Sequence, residues 1–209
     1  MTVLLAGATG LVGSRVLALL PGAIPVGRRP TGRAGEIVAA FDVLPPLPPA
    51  DVAICALGTT IRAAGSQAAF RAVDFEAVLA FARAARAAGV THFILVTAVG
   101  ADAGSKVFYS RVKGEVQDAV ATLGFARLDL IQPGLILGPR HDRRPVEAFL
   151  QRVTPWLDPL LVGGLDRYGA IDASVVAAAL VALVDLGASG RFVHQNRALH
   201  KLSASGGAA

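Results

Sequence analysis

An apolar run, Val3-Leu4-Leu5-Ala6, leads straight into glycines three residues apart at Gly7, Gly10 and Gly13. Few folds accommodate that opening. A short apolar run that ends in a turn signal is a buried strand, and Val12, Val16, Leu19 and Leu20 then recur at helical spacing. A strand that turns tightly into a helix begins a βαβ unit. The turn presents backbone N–H groups beside the positive end of the helix dipole, which is an anion site. Glycine is required where backbone approaches a ligand closely or takes a positive φ. Gly7, Ala8, Thr9, Gly10, Leu11, Val12 and Gly13 are therefore the candidate phosphate-binding loop.

The remaining chain continues the alternation. Strands are expected over Thr2–Ala6, Ala23–Val26, Glu36–Ala40, Asp51–Leu57, Thr91–Thr97, Ala126–Ile131 and Gly190–Val193. Helices are expected over Leu11–Leu20, Ser66–Ala88, Val107–Leu123, Val146–Val153 and Ser174–Leu186. Glycine or Pro-Gly follows most of the helices, as a stop signal should. Leu44–Ala50, with four prolines, is a surface connector. Gly58–Gly65 and Ala98–Lys106 read as loops, and Ser203–Ala209 as a frayed tail of small residues. Strands alternating with helices specify right-handed crossovers and an α/β, Rossmann-like, doubly wound parallel sheet with helices on both faces. In 209 residues this is one domain, 1–209, with a small C-terminal substrate lobe contributed mainly by 139–170.

Bulk properties narrow the classes. Hydrophobic residues make up 54% of the chain, which supplies a core and excludes disorder. No apolar run reaches the roughly 18 residues of a membrane span, and no basic leader precedes the first strand. The formal charge is +5, but the arginines are not gathered into one block, so an anionic cofactor or substrate is expected and specific nucleic-acid binding is not. Cys55 is the single cysteine and sits within an apolar strand; it is read as a buried, inert thiol, and the lack of any internal disulfide points to the cytoplasm. His92, His141, His194 and His200 are scattered, and no metal site is expected.

Three further stretches carry chemistry. After the second strand the chain reads Val26-Gly27-Arg28-Arg29, where a carboxylate would bond the ribose 2′-OH of NAD. Two guanidiniums stand there instead, suited to a 2′-phosphate, so NADP(H) is preferred over NAD(H). Asp42 either bonds the adenine amine or caps a turn. Leu57, Gly58 and Thr59 follow the fourth strand, at the carboxyl edge where such sheets bind ligands. Tyr109 and Lys113 are four residues apart on a helix and share a face. A free tyrosine titrates near 10, and a neighbouring cation favours its phenolate, so Tyr109 is a candidate general acid/base.

This set of motifs resembles the short-chain dehydrogenase/reductase superfamily, and within it the atypical Tat-interacting-protein-like NAD(P)H-binding oxidoreductases. The matching stretches are Ala6–Gly13, Val26–Arg29, Cys55–Thr60 with Phe70–Asp74, Val96–Asp102, Tyr109–Glu115, Gln132-Pro133-Gly134 and Asn196–Leu202. The resemblance implies NADPH binding, catalysis by Tyr109 with Lys113 also holding the nicotinamide ribose, and a Pro133 turn against the nicotinamide. It also implies a hydroxyl at the end of strand five that polarises a carbonyl. Thr97 is the candidate; the next residue is Ala98, which has no hydroxyl. Loss of such a donor costs about 10²–10³ in rate at comparable sites. Arg140, His141, Arg143 and Arg144 either bind an acidic substrate or cover the cleft mouth. The expected protein is thus an NADPH-dependent oxidoreductase acting on a small carbonyl or alcohol. The alternative is a non-catalytic NADPH-binding regulator that works through a protein partner. An apolar face on 66–88 or 107–123 is a candidate homodimer surface.

Overall fold

The computed structural model describes residues 1–138 and 167–205. A seven-stranded, wholly parallel sheet runs in the order β3-β2-β1-β4-β5-β6-β9. Its strands are β1 (Val3–Ala6), β2 (Ile24–Gly27), β3 (Ile37–Val38), β4 (Val52–Cys55), β5 (His92–Val96), β6 (Arg127–Gln132) and β9 (Gly190–Gln195). Side-chain alternation splits each strand between two cores. Val3 and Leu5 face one layer with Val16 of α1 (Gly13–Leu19), Val176 and Leu180 of α6 (Ala173–Val184), and Leu199 of α7 (Asn196–Ser205). Leu4 and Ala6 face the other, with Phe81, Ala82 and Ala85 of α4 (Val78–Ala87) and Val116 and Val120 of α5 (Phe108–Ala121).

The strand order reverses beside β1, which pairs with β2 on one side and β4 on the other. At such a switch point the two loops diverge to opposite faces and leave a crevice at the carboxyl edge. The glycine loop and the segment after β4 border it.

Several elements depart from the sequence expectation. Gly58–Gly65 contains a helical turn, α2 (Ile61–Ala64), capped by Thr60, whose hydroxyl accepts the Ala63 N–H at 3.0 Å. The helix expected over Ser66–Ala88 is α3 (Gln67–Arg71), a π-helical segment over Ala72–Ala77, and α4. β3 is only two residues long because Glu36 is drawn back to Thr31. β9 extends to Gln195, and the supposed frayed tail is helical through Ser205. A second small sheet pairs β7 (Leu135–Leu137) with β8 (Ala170–Asp172) in parallel, where periodicity gave no signal. The helix expected over Val146–Val153, most of the proposed lobe, and Arg140, His141, Arg143 and Arg144 lie outside the described residues. No helix among the described residues is long and apolar enough to cross a membrane.

Candidate active site

The glycine loop closes on itself. Gly7 has φ +85°, and its amide neighbourhood is so tight that a Cβ there would lie 2.5 Å from the Ala56 carbonyl oxygen. The Gly10 N–H donates to the Gly7 carbonyl at 2.9 Å. A Cβ on Gly13 would fall 2.1 Å from that same carbonyl oxygen. The three glycines therefore let α1 start directly against the ends of β1 and β4. Overpacking of this kind costs about 1–3 kcal/mol where backbone must yield. Gly13→Ala is accordingly expected to lower the urea midpoint by that order and to abolish dinucleotide binding in a fluorescence titration. Retained binding would show that the loop tolerates displacement.

Beside this loop lies a cavity of about 300 Å³, with Ala8, Thr9, Ser14, Leu17, Thr31 and Arg33 among its walls. Arg28, Arg29 and Asp42 are exposed and are not part of that wall; Asp42 sits in a 3₁₀ turn, Phe41–Val43.

Across the crevice, Tyr109 and Lys113 stand on α5. Tyr109 packs on Phe70, ring centroids 5.5 Å apart. Lys113 is buried, and its Nζ lies 2.7 Å from Asp74 Oδ1, in a carboxylate that is fully enclosed. The contact is an ion pair without hydrogen-bond alignment, so Oδ1 has no aligned donor. The other oxygen, Oδ2, accepts the Thr59 N–H at 2.9 Å. One carboxylate thus fastens the loop after β4 to the lysine of α5. A Cβ on Gly58 would lie 3.4 Å from Asp74 Oδ1 and 3.7 Å from Lys113 Nζ. The ion pair sits directly beneath that loop.

Asp74 was not among the residues expected to act. Its signal was legible: it falls on the stripe Phe70, Asp74, Val78 and Phe81, where every other member is apolar and buried. A carboxylate in that stripe needs a buried partner. The π segment carries Asp74, and Arg71 of α3 pairs with Glu115 of α5 just before it.

Thr97 lies apart from this group in its bonding. Its hydroxyl donates to the Ile131 carbonyl at 3.2 Å and accepts Gln117 Nε2 at 2.7 Å. Gln117 in turn accepts from Gln132, and Gln132 from Gln195, each at 3.2 Å. The single Thr97 proton is committed to the sheet rather than offered to the crevice. Pro133 is buried, and the following turn is clamped: the Gly134 N–H donates to Asn196 Oδ1 at 2.9 Å, while Asn196 Nδ2 donates to the Gly169 carbonyl at 2.9 Å. A Cβ on Gly134 would meet that Gly169 oxygen at 2.1 Å. Cys55 is fully buried, and desolvation pushes its thiol up to about 12, so it is inert at neutral pH.

The arrangement fits a dinucleotide. Its crevice has the glycine loop on one side, and on the other the Gly58 loop with the buried lysine beneath it.

Comparison with known proteins agrees on both fold and kinship. The solved structure of MoeE5 in complex with UDP-glucose and NAD superposes with a TM-score of 0.70, covering 98% of this chain and 81% of that one at 17% identity. A short-chain dehydrogenase/reductase superfamily protein from Agrobacterium tumefaciens, with bound NAD, gives 0.69 over 93% and 77% at 16% identity. No protein-family model matches the chain. Among curated proteins, mitochondrial fmp52 of Aspergillus niger is 33% identical over 201 residues, 86% of this chain and 85% of the relative. Protein HTATIP2 of Rattus norvegicus is 38% identical over 149 residues, 71% and 60% of the two chains. The fmp52 proteins are named mitochondrial, which overturns the cytoplasmic expectation. A lone cysteine says only that no internal disulfide forms, and that holds in any reducing compartment. By sequence kinship the chain belongs to the family of the Fmp52 proteins and is similar to HTATIP2, and it shares the fold of a short-chain dehydrogenase/reductase superfamily protein.

Proposed function

We propose that the chain binds NADP(H) and transfers hydride between it and a small carbonyl or alcohol substrate, with Tyr109 as general acid/base. The observation that carries this reading is the buried Lys113, held by Asp74 under Gly58 on the same helical face as Tyr109. A lysine is costly to bury, and one four residues from a tyrosine on the same helical face is suited to favour that tyrosine's phenolate. When bound, the cofactor supplies or accepts the hydride at its nicotinamide. Tyr109 would give its phenolic proton to the substrate oxygen as a carbonyl is reduced, or take it back in the reverse direction. Lys113 would favour the phenolate and hold the nicotinamide ribose. The Gly7–Gly13 loop, Leu57, Gly58 and Thr59 would line the dinucleotide, and Pro133 the nicotinamide. Preference for NADP(H) rests on a cationic loop after β2 that has no carboxylate at the strand's end. The substrate lobe would come from 139–170. By kinship with the fmp52 proteins, the place of action would be the mitochondrion.

NADPH oxidation over a panel of small aldehydes and ketones tests the reading. Tyr109→Phe should cut kcat by about 10²-fold, the lower end of general acid/base contributions, while cofactor affinity stays within about twofold. An unchanged kcat would remove Tyr109 from the chemistry.

A second reading is favoured by Thr97, whose proton is bonded to Ile131, and by Ala98, which has no hydroxyl to replace it. Without a second donor beside Tyr109 to polarise the carbonyl, the same fold would serve as an NADP(H)-responsive regulator acting through a protein partner. Tight NADPH binding with no turnover on any carbonyl would select that reading.

A further inference from the structure

Of the two hydroxyls expected to act on a substrate, only that of Tyr109 still has its proton to offer. Thr97 has given its own to the Ile131 carbonyl, and Ala98 has none. A carbonyl carbon that takes a hydride leaves a charge developing on its oxygen, and such charge is best met by more than one donor.

Another hydroxyl stands on the same edge of the sheet, carried by a part of the chain that periodicity did not connect with the site. Tyr168 lies two residues before β8, and its backbone is wedged against the turn after β6. A Cβ on Gly134 would fall 3.0 Å from the Tyr168 carbonyl carbon. Asn196, which bonds Gly134 and Gly169 together, locks that contact. From this anchor the ring crosses to the loop after β5. A Cβ on Gly100 would lie 3.8 Å from Tyr168 Cε1 and 4.0 Å from its hydroxyl oxygen. Gly100 has φ +76°, and its loop is tied at both ends. The Val99 N–H donates to the Pro133 carbonyl at 3.0 Å, and the Asp102 N–H to the Ser110 carbonyl at 3.0 Å. Ser110 adjoins Tyr109 on α5. The Tyr168 phenol thus rests between the Pro133 turn and a loop that is bonded to the Tyr109 turn of α5.

Its surroundings leave it available. Tyr168 is 45% exposed, so a ligand can reach it. Among the described residues its hydroxyl makes no hydrogen bond, so its proton is unspent. The Arg167 guanidinium lies 5.0 Å from the ring centroid and packs on the ring as a cation–π partner.

We propose that the Tyr168 hydroxyl is the second donor to the substrate carbonyl oxygen, in the role expected of Thr97. As the carbonyl carbon takes the hydride, the π pair moves onto oxygen. Tyr109 delivers the proton, and Tyr168 donates a hydrogen bond and keeps its own proton. This inference rests on the hydride-transfer reading above and supplies the donor whose lack favours the regulator.

The test is steady-state NADPH oxidation by the full chain over the panel of small aldehydes and ketones, wild type against Tyr168→Phe. The variant keeps the ring on Gly100 and deletes a hydroxyl that has no partner in the protein. Its urea midpoint should therefore match the wild type, and its affinity for NADPH should stay within about twofold. Its kcat should fall about 10–100-fold, the worth of a hydrogen bond to a charged group, with KM little changed, because the bond strengthens as charge develops. An unchanged kcat, or a rise in KM alone, overturns the donor role and leaves Tyr109 in place. A lowered urea midpoint overturns it as well, since the hydroxyl would then be bonded within the protein. A wild type that binds NADPH but turns over no carbonyl overturns the hydride-transfer reading itself, and this assignment with it.

Discussion

Asp74→Ala is expected to destabilise the protein by about 3–5 kcal/mol, the range for removing one partner of a buried ion pair. Lys113 would remain enclosed with no counter-charge, and the Thr59 N–H would lose its acceptor. Urea denaturation followed by circular dichroism measures the loss. Cofactor affinity should fall with it, because the loop after β4 and the lysine of α5 are both fastened to this carboxylate. Asp74→Asn separates the two effects: an amide oxygen still accepts from Thr59 but leaves Lys113 uncompensated. The double variant Asp74→Ala/Lys113→Met should recover much of the stability, since well-packed apolar residues replace buried pairs at little cost. It should not recover turnover. A loss below about 1 kcal/mol in Asp74→Ala would mean that Lys113 finds water or another partner.

Asp129→Ala is expected to cost a similar ~3–5 kcal/mol, far from the crevice. Asp129 is fully buried on the face of β6 toward α6 and α7, and every one of its partners is on a neighbouring strand or its own. His92 Nε2 and His194 Nε2 each lie 2.7 Å from it, and Arg127 Nε and Nη2 donate to it at 2.6 and 3.0 Å. Burial alone would raise this carboxyl; the bonds from His194, His92 and Arg127 outweigh that and hold it far below the ordinary carboxylate range. The lowered native value fixes the sign of the pH dependence. Asp129 contributes fully above its unfolded value of about 3.9, and the contribution drains away as pH falls below that toward the native value. The urea midpoint of the wild type should therefore drop steeply below about pH 4, and that of Asp129→Asn should be flatter there. Parallel curves would show that other carboxylates dominate acid unfolding.

These two aspartates mark where sequence reading stopped. Both interrupt apolar patterns, Asp74 on a helix stripe and Asp129 in a central strand, and each interruption was visible. The partner was not. Lys113 is 39 positions from Asp74, and His194 is 65 from Asp129. Single-sequence periodicity reports which face is buried and is silent on what a residue meets there. The same limit explains Thr97. Its position at the end of β5 was readable, but whether its hydroxyl faces a ligand or the Ile131 carbonyl depends on β6 alongside it. Arg28 and Arg29 were chosen by nearness to the strand end, whereas the turn that follows them is fixed by Glu36 bonds to Thr31 and Gly32, contacts within a loop that has no period at all.

By itself, the sequence determined the doubly wound parallel sheet, the glycine loop that lets α1 abut two strands, and the shared face of Tyr109 and Lys113. Each follows from spacing along the chain: a period of two or 3.6 residues, glycine where no Cβ fits, and residues four apart on a helix. Tertiary structure alone decided that Lys113 is neutralised by Asp74 under Gly58, that the Thr97 proton is committed to the sheet, and that Asn196 clamps the turn after Pro133. Those outcomes depend on strands and helices brought together from distant parts of the chain. In a low-dielectric interior every buried charge or polar group must find its partner among whatever the fold places beside it.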